Sequence, residues 1–164
     1  MSYMSFVFQD VTLFNDTVMN NIRLGNPNAT DEQVIAAAKA AYCDEFVREM
    51  PDAYQTILGE NGSTLSGGER QRIKLAKHLK NKGNIFILDE PTRGIDVGAK
   101  DQIYTIIENL AKQGMAVIVI SSEIPELQLM CDRVCIMSEG KVISEMTREE
   151  FIDSDNVLKN AIGI

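Results

Sequence analysis

Ile85-Phe86-Ile87-Leu88-Asp89-Glu90-Pro91 is the stretch that decides the fold, and Leu65-Ser66-Gly67-Gly68-Glu69 precedes it in the chain. Four consecutive apolar residues ending on two carboxylates and a proline read as a buried strand with an acidic tip. The pattern then alternates: a helix over Val97–Lys112, a strand over Met115–Ile120, a short helix over Pro125–Met130 and a strand over Arg133–Met137. That β-α-β-α-β order, with continuous apolar strands, predicts an α/β fold around a parallel sheet buried on both faces. A strand over Lys141–Ser144 follows the turn at Glu139-Gly140, and helices are expected over Thr147–Phe151 and Val157–Ile162.

Upstream the character changes. Residues 4–8 read as a short strand leading into Gln9. Residues 30–41 read as a helix, with Thr30 and Gln33 at capping-box spacing and Val34, Ile35 and Ala38 on one face. A second helix, Asp44 to Met50, stops at Pro51, and residues 51–64 are loop-like. Ser66 and Glu69 repeat the capping box and open a helix carrying Ile73, Leu75, Ala76 and Leu79, which ends before the turn at Asn81-Lys82-Gly83-Asn84. The stretch 15–80 has no convincing strand. The expected organisation is a strand and lobe entry at 1–14, a helical subdomain at 15–82 and an α/β part at 83–164.

A chain of 164 residues is long enough for one real core. Its net charge of −8 argues against a general nucleic-acid binder. The longest apolar run, Met115 to Ile120, is far too short to cross a bilayer. The N-terminus lacks a basic start and long apolar stretch, so the expectation is a cytosolic chain. Cys43, Cys131 and Cys135 lack CxxC spacing and read as buried free thiols.

Two groups of residues carry chemistry. A helix N-terminus offers unpaired N–H groups and a partial positive charge. Glycines at 67 and 68 would let an anion approach the backbone, and Ser66 adds a hydroxyl. The plain alternative is an ordinary capped helix. Asp89 and Glu90, adjacent at a strand end, point to opposite sides. One could hold Mg²⁺ through water while the other polarises an attacking water, at the strand ends where open α/β sheets bind ligands. The plain alternative there is a helix N-cap or a solvated strand end.

Taken together, LSGGERQR and the apolar strand ending in LDEPT resemble the ATP-binding-cassette (ABC) ATPases. Leu65–Glu69 looks like that family's signature motif and Ile87–Glu90 like its Walker B strand. Gln9 looks like the Q-loop glutamine, and Gly94-Ile95-Asp96 falls where the D-loop lies. The resemblance implies an incomplete P-loop NTPase core with a helical signature subdomain, and ATP and Mg²⁺ as ligands. It implies Glu90 as general base and Asp89 and Gln9 at the metal, with Gln9 relaying the site's state to a membrane domain. Ser66, Gly67, Gly68 and Glu69 would engage nucleotide held by a second cassette, and Gln9, Asp96 and Ser122 would also bind nucleotide. The implied partners are a second nucleotide-binding domain and a transmembrane domain, with no nucleic acid. The implied location is the cytoplasmic side of the inner or plasma membrane.

Two departures qualify this. No GxxxxGK[ST] occurs, and Gly140-Lys141 continues with Val142. In the family that loop lies upstream of the Q-loop, so the chain looks like the C-terminal two-thirds of such a domain, with weak or no hydrolysis alone. Ser122 stands where the family usually places the switch histidine, and His78 reads as a surface residue. The likeness also divides near Gln71–Leu75. Phe8–Asp10, Leu13–Val18 and Gly59–Gly62 resemble multidrug and lipid exporters. Asp89–Lys100 and Ser121–Glu126 resemble the second cassette of ribose/galactose-type importers. The competing expectations are a non-catalytic module lending its signature face to a partner and a soluble ABC ATPase of DNA repair or translation.

Overall fold

The architecture follows from three devices: local helix caps, one buried parallel strand, and a two-residue hairpin turn. The computed structural model describes residues 4–7, 12–79 and 84–153. It divides into two compact units, residues 1–120 and 121–164.

In the first unit the predicted helices form close to their expected bounds. Helix α1 (Val18–Arg23), which the sequence pattern does not announce, starts on Thr17, whose hydroxyl accepts from the Asn20 N–H at 3.1 Å. Helix α2 (Asp31–Ala40) carries the complete Thr30–Gln33 capping box. Helix α3 spans Asp44–Glu49 and helix α4 Gly67–Leu79. The apolar faces close on one another: Val18, Ile22, Val34, Ala38, Val47, Leu58, Ile73, Leu75 and Ala76 are fully buried. Burial of this kind stabilises by about 1.5–3 kcal/mol for each large aliphatic side chain. His78, expected on the surface, is instead half-buried, with Nε2 enclosed and no partner among the described residues.

The sheet of this unit has the order β1 (Met4–Val7), β2 (Ile85–Asp89), β3 (Ala116–Ile120), all parallel. Strand β2 is central, and its Phe86 and Leu88 are fully buried. Helix α5 (Val97–Lys112) makes the crossover to β3 and buries Ile103, Ile106, Ile107 and Leu110. The expectation of strands covered on both faces fails at β3. Its residues alternate between half-buried and exposed, with Ile118 49% and Ile120 47% accessible.

The second unit corrects a further expectation. The strand over Arg133–Ser138 (β4) does not join the parallel sheet; it pairs antiparallel with β5 (Lys141–Thr147). The reason is the connection. Glu139 (φ 50°) and Gly140 (φ 76°) are both left-handed, the backbone of a two-residue hairpin turn that returns the chain alongside itself. Helices α6 (Ile124–Met130) and α7 (Arg148–Asp153) flank the hairpin. Val134, Met146 and Phe151 form its small core, against which Ile124, Leu127, Cys131 and Ile136 pack. All three cysteines are free. Burial pushes the Cys43 thiol up to about 12. Cys131 is only half-buried and Cys135 is exposed on β4, contrary to the expectation for both. The helix predicted over Val157–Ile162 lies outside the described residues.

Candidate functional site

Ser66 stands immediately before α4, so its serine–glycine turn is a helix N-terminus and not a mid-helix segment. The local reason is the capping box. The Glu69 N–H donates to Ser66 Oγ at 3.3 Å, while Glu69 Oε2 accepts from the Ser66 N–H at 2.8 Å and from its hydroxyl at 2.7 Å. Glu69 therefore holds the exposed serine hydroxyl against its own helix turn. The amides of Gly67 and Gly68 are first-turn N–H groups, which have no acceptor within a helix.

The two glycines do different work. A Cβ on Gly67 would meet the Gly94 carbonyl oxygen at 3.5 Å, ordinary contact. A Cβ on Gly68 would lie 2.5 Å from that of Ala99, closer than any real pair. Gly68 thus lets α4 seat against the start of α5, whereas Gly67 stays exposed.

The acidic tip is built by β2. Asp89 is the last paired residue, opposite Ile120, and it is half-buried. The Glu90 N–H still donates to the Ile120 carbonyl at 2.8 Å, but its backbone has turned left-handed, with φ 47°. A glutamate in that region is strained, and strain of this sort persists only where the surroundings enforce it. Here a tight turn follows: Arg93 N–H donates to Glu90 O and Ile95 N–H to Thr92 O, both at 3.2 Å, over buried Pro91 and Thr92. Glu90 itself stays half-buried. The turn delivers Asp96 to the start of α5, where its carboxylate accepts from the Ala99 N–H at 3.2 Å. Asp96 is an N-cap, the bland alternative weighed for Asp89 and Glu90.

The structure therefore brings the 66–68 turn against the 94–99 turn within one unit. Ser122 is exposed in the second unit, just before α6. Gln9 lies outside the described residues.

A residue overlooked in the sequence is Asn21. It is fully buried, with Oδ1 accepting from the Phe14 N–H at 2.8 Å. Its Nδ2 donates to the carbonyls of Phe14, Asp16 and Thr17 at 3.0, 3.2 and 3.0 Å. One side chain thus fastens the segment that leads into the helical lobe. An asparagine four residues after a Thr N-cap, on the apolar face of a short helix, is the signal that would have found it.

A parallel sheet with an acidic strand tip, beside a helical lobe whose long helix opens on a serine–glycine turn, defines a nucleotide-binding domain of the cassette type. The family model described as ABC transporter matches residues 2–93, and the chain belongs to that family. It is 40% identical over 152 residues to an ATP-dependent lipid A-core flippase of Legionella pneumophila, covering 93% of this chain and 26% of the relative. It is 42% identical over 136 residues to the L-arabinose transport ATP-binding protein AraG of Geobacillus stearothermophilus, covering 83% of this chain and 26% of that protein. Relatives of the exporter and the sugar-transport kind are thus both found. Among solved structures, a bacterial Atm1-family ABC exporter with ATP bound superposes with a TM-score of 0.84 at 28% identity, covering 98% of this chain and 28% of that one. The chain spans about a quarter of the length of these relatives. Among the described residues no helix is long and apolar enough to cross a membrane.

Proposed function

We propose that this chain is the signature-bearing part of an ABC ATPase that couples ATP hydrolysis to transport and is weakly active or inactive by itself. The observation carrying this is positional. Both chemical groups stand at the ends of elements: Ser66 at the N-terminus of α4, and Asp89 with Glu90 at the carboxyl end of the central parallel strand. Glu90 is the general base for water. Asp89, a half-buried carboxylate at the strand tip, and Gln9 would hold Mg²⁺, which when bound neutralises phosphate charge. Such catalysis is positioning and charge stabilisation of a phosphoryl group. Ser66, Gly67 and Gly68 meet the phosphates of ATP seated on a second cassette. The residues fit an anion on one condition: the Glu69 carboxylate, now on the Ser66 N–H and hydroxyl, has to swing aside. Asp96 supports the turn as a helix cap, and Ser122 in place of an imidazole weakens hydrolysis even in a completed site.

The half-bare strand β3 supports the partial reading, because an apolar strand paired on one side invites another. We read the domain division as 1–14, 15–82 and 83–164, and the location as the cytoplasmic face of a membrane beside a transmembrane domain. The division of the likeness near 71–75 makes the chain a hybrid of exporter and importer sequence.

A malachite-green phosphate assay at micromolar protein tests this. Turnover by the chain alone should stay below about one per minute. Adding a cassette that supplies a P-loop should raise it, and Glu90→Gln should abolish the gain. Brisk turnover by the chain alone would overturn the proposal. A gain that survives Glu90→Gln, with Ser66→Ala removing it, would leave only the module that lends its signature face.

A further inference from the structure

We propose that Tyr42 is a strap that fixes the spacing between helices α4 and α5. The position is unusual for a tyrosine. Helix α2 ends in a Schellman motif: the Cys43 N–H donates to Ala38 O at 2.7 Å and the Tyr42 N–H to Lys39 O at 3.0 Å. The residue between must be left-handed, and Tyr42 has φ 53°. Glycine is the usual occupant, because a side chain there costs about 1 kcal/mol or more. The strained tyrosine is also 44% exposed, so burial of the ring does not by itself explain it.

What the position gains is reach. The Tyr42 hydroxyl oxygen accepts from Asn109 Nδ2 of α5 at 3.1 Å, a contact across 67 residues of chain. Its carbonyl accepts from Arg72 Nη1 of α4 at 2.7 Å. Arg72 is held in turn over the Phe46 ring, 4.6 Å from its centroid. One residue thus ties the end of α2 to both long helices through groups at its two ends. The second tie between α4 and α5 is the Gly68–Ala99 contact near their N-termini. Asn109 lies ten residues further along α5, roughly 15 Å away by helical rise. Two ties that far apart fix an angle, where one would leave a pivot. The helices so fixed begin with the serine–glycine turn and with Asp96, so the strap sets how those two turns face each other. The tie to α5 is a single exposed hydrogen bond. This inference concerns helix geometry and does not depend on nucleotide chemistry.

Hydrogen exchange of the full 164-residue chain tests it, read on the amides of 41–46 and of the C-terminal half of α5. Tyr42→Phe removes only the hydroxyl and should speed exchange there about three- to tenfold, the equivalent of one ordinary hydrogen bond. Asn109→Ala should do the same, and the double variant should add nothing further. Tyr42→Gly separates strap from cap. It relieves the left-handed strain, yet under this proposal it should still speed exchange in α5. If Tyr42→Phe and Asn109→Ala leave exchange unchanged, or Tyr42→Gly slows it throughout both segments, Tyr42 is a strained surface residue and the strap does not exist.

Discussion

The helical lobe and the three-stranded sheet share one unit but differ in how far each completes itself. The lobe closes its own core, with apolar side chains from its helices and the loop before the signature turn wholly buried. Its loops are fastened by side chains, Asn21 above all, and α1, α2 and α4 each carry a side-chain cap. The sheet buries Phe86 and Leu88 on its central strand but leaves Ile118 and Ile120 of β3 about half accessible. Helices satisfy their backbone internally, so a lobe made of them can finish locally. A strand satisfies its backbone only through neighbours, so a sheet is finished only when its last strand is paired or covered. The lobe should therefore be intolerant of small internal changes, and the outer strand indifferent to them.

The largest effect is expected at Gly25. A Cβ there would fall 1.6 Å from the Lys77 carbonyl oxygen, so the loop after α1 touches the backbone of α4 directly. Neither backbone can yield without parting the two elements. Gly25→Ala should cost about 3 kcal/mol or more, seen as a collapse of the urea midpoint or loss of folded protein. Full retention of stability would mean the lobe is looser than its packing implies. Asn21→Ala should come next. It leaves one N–H and three carbonyls of the 14–17 segment short of a partner they now have, at about 2–3 kcal/mol by the same measurement.

The same contrast explains what could be read from sequence. Capping boxes are written in four residues, and those at Thr30 and Ser66 stand where the spacing put them. The strand bounds of β2 and β3 and the full span of α5 were legible because apolar periodicity is strong over such lengths. Helix α1 is not legible because its six residues show no apolar period and Thr17 is followed three residues on by Asn20, not by the Glu or Gln of a capping box. The alternating pattern places β4 in the parallel sheet, where it is not found, because partner choice is non-local; the hairpin that the Glu139-Gly140 turn predicts does form. The chemistry at Ser66 and at Asp89–Glu90 was recognisable by type. The left-handed turn at Glu90, the role of Gly68 in packing and Asp96 as a cap were not, since each depends on what a distant segment presents.

A pH dependence of stability sharpens the comparison further, because it reports the lobe alone. Burial, helped by the neighbouring Lys77 charge, holds the His78 imidazole below its ordinary 6.5. The folded state keeps it neutral, whereas the unfolded chain takes up a proton once the pH drops under 6.5. The stabilising contribution is thus complete above 6.5 and is lost as the pH falls through the lower folded value. Asp44 acts in a separate window. Burial raises its pKa, but the Tyr54 hydroxyl and Arg48 override this and hold the carboxyl below 3.8, so its contribution fades only under that pH. Urea midpoints taken between about pH 7.5 and 5 should fall for the natural chain and stay flatter for His78→Gln. Equal slopes would show that His78 is solvated in the fold.

The smallest effect is expected on β3, and its smallness is the point. Ile118→Thr keeps a β-branched side chain, so strand propensity is nearly unchanged. What it removes is apolar surface that is already half in water, 49% accessible, so little transfer free energy is at stake. The stability of the 164-residue chain should shift by less than about 0.5 kcal/mol, while its tendency to self-associate, followed by light scattering, should drop. Under the proposed partial reading, a complete cassette covers the strand, and there the same substitution should be costly. A large loss in the chain alone would mean that β3 is already packed against something, and the contrast between a finished lobe and an unfinished sheet would dissolve.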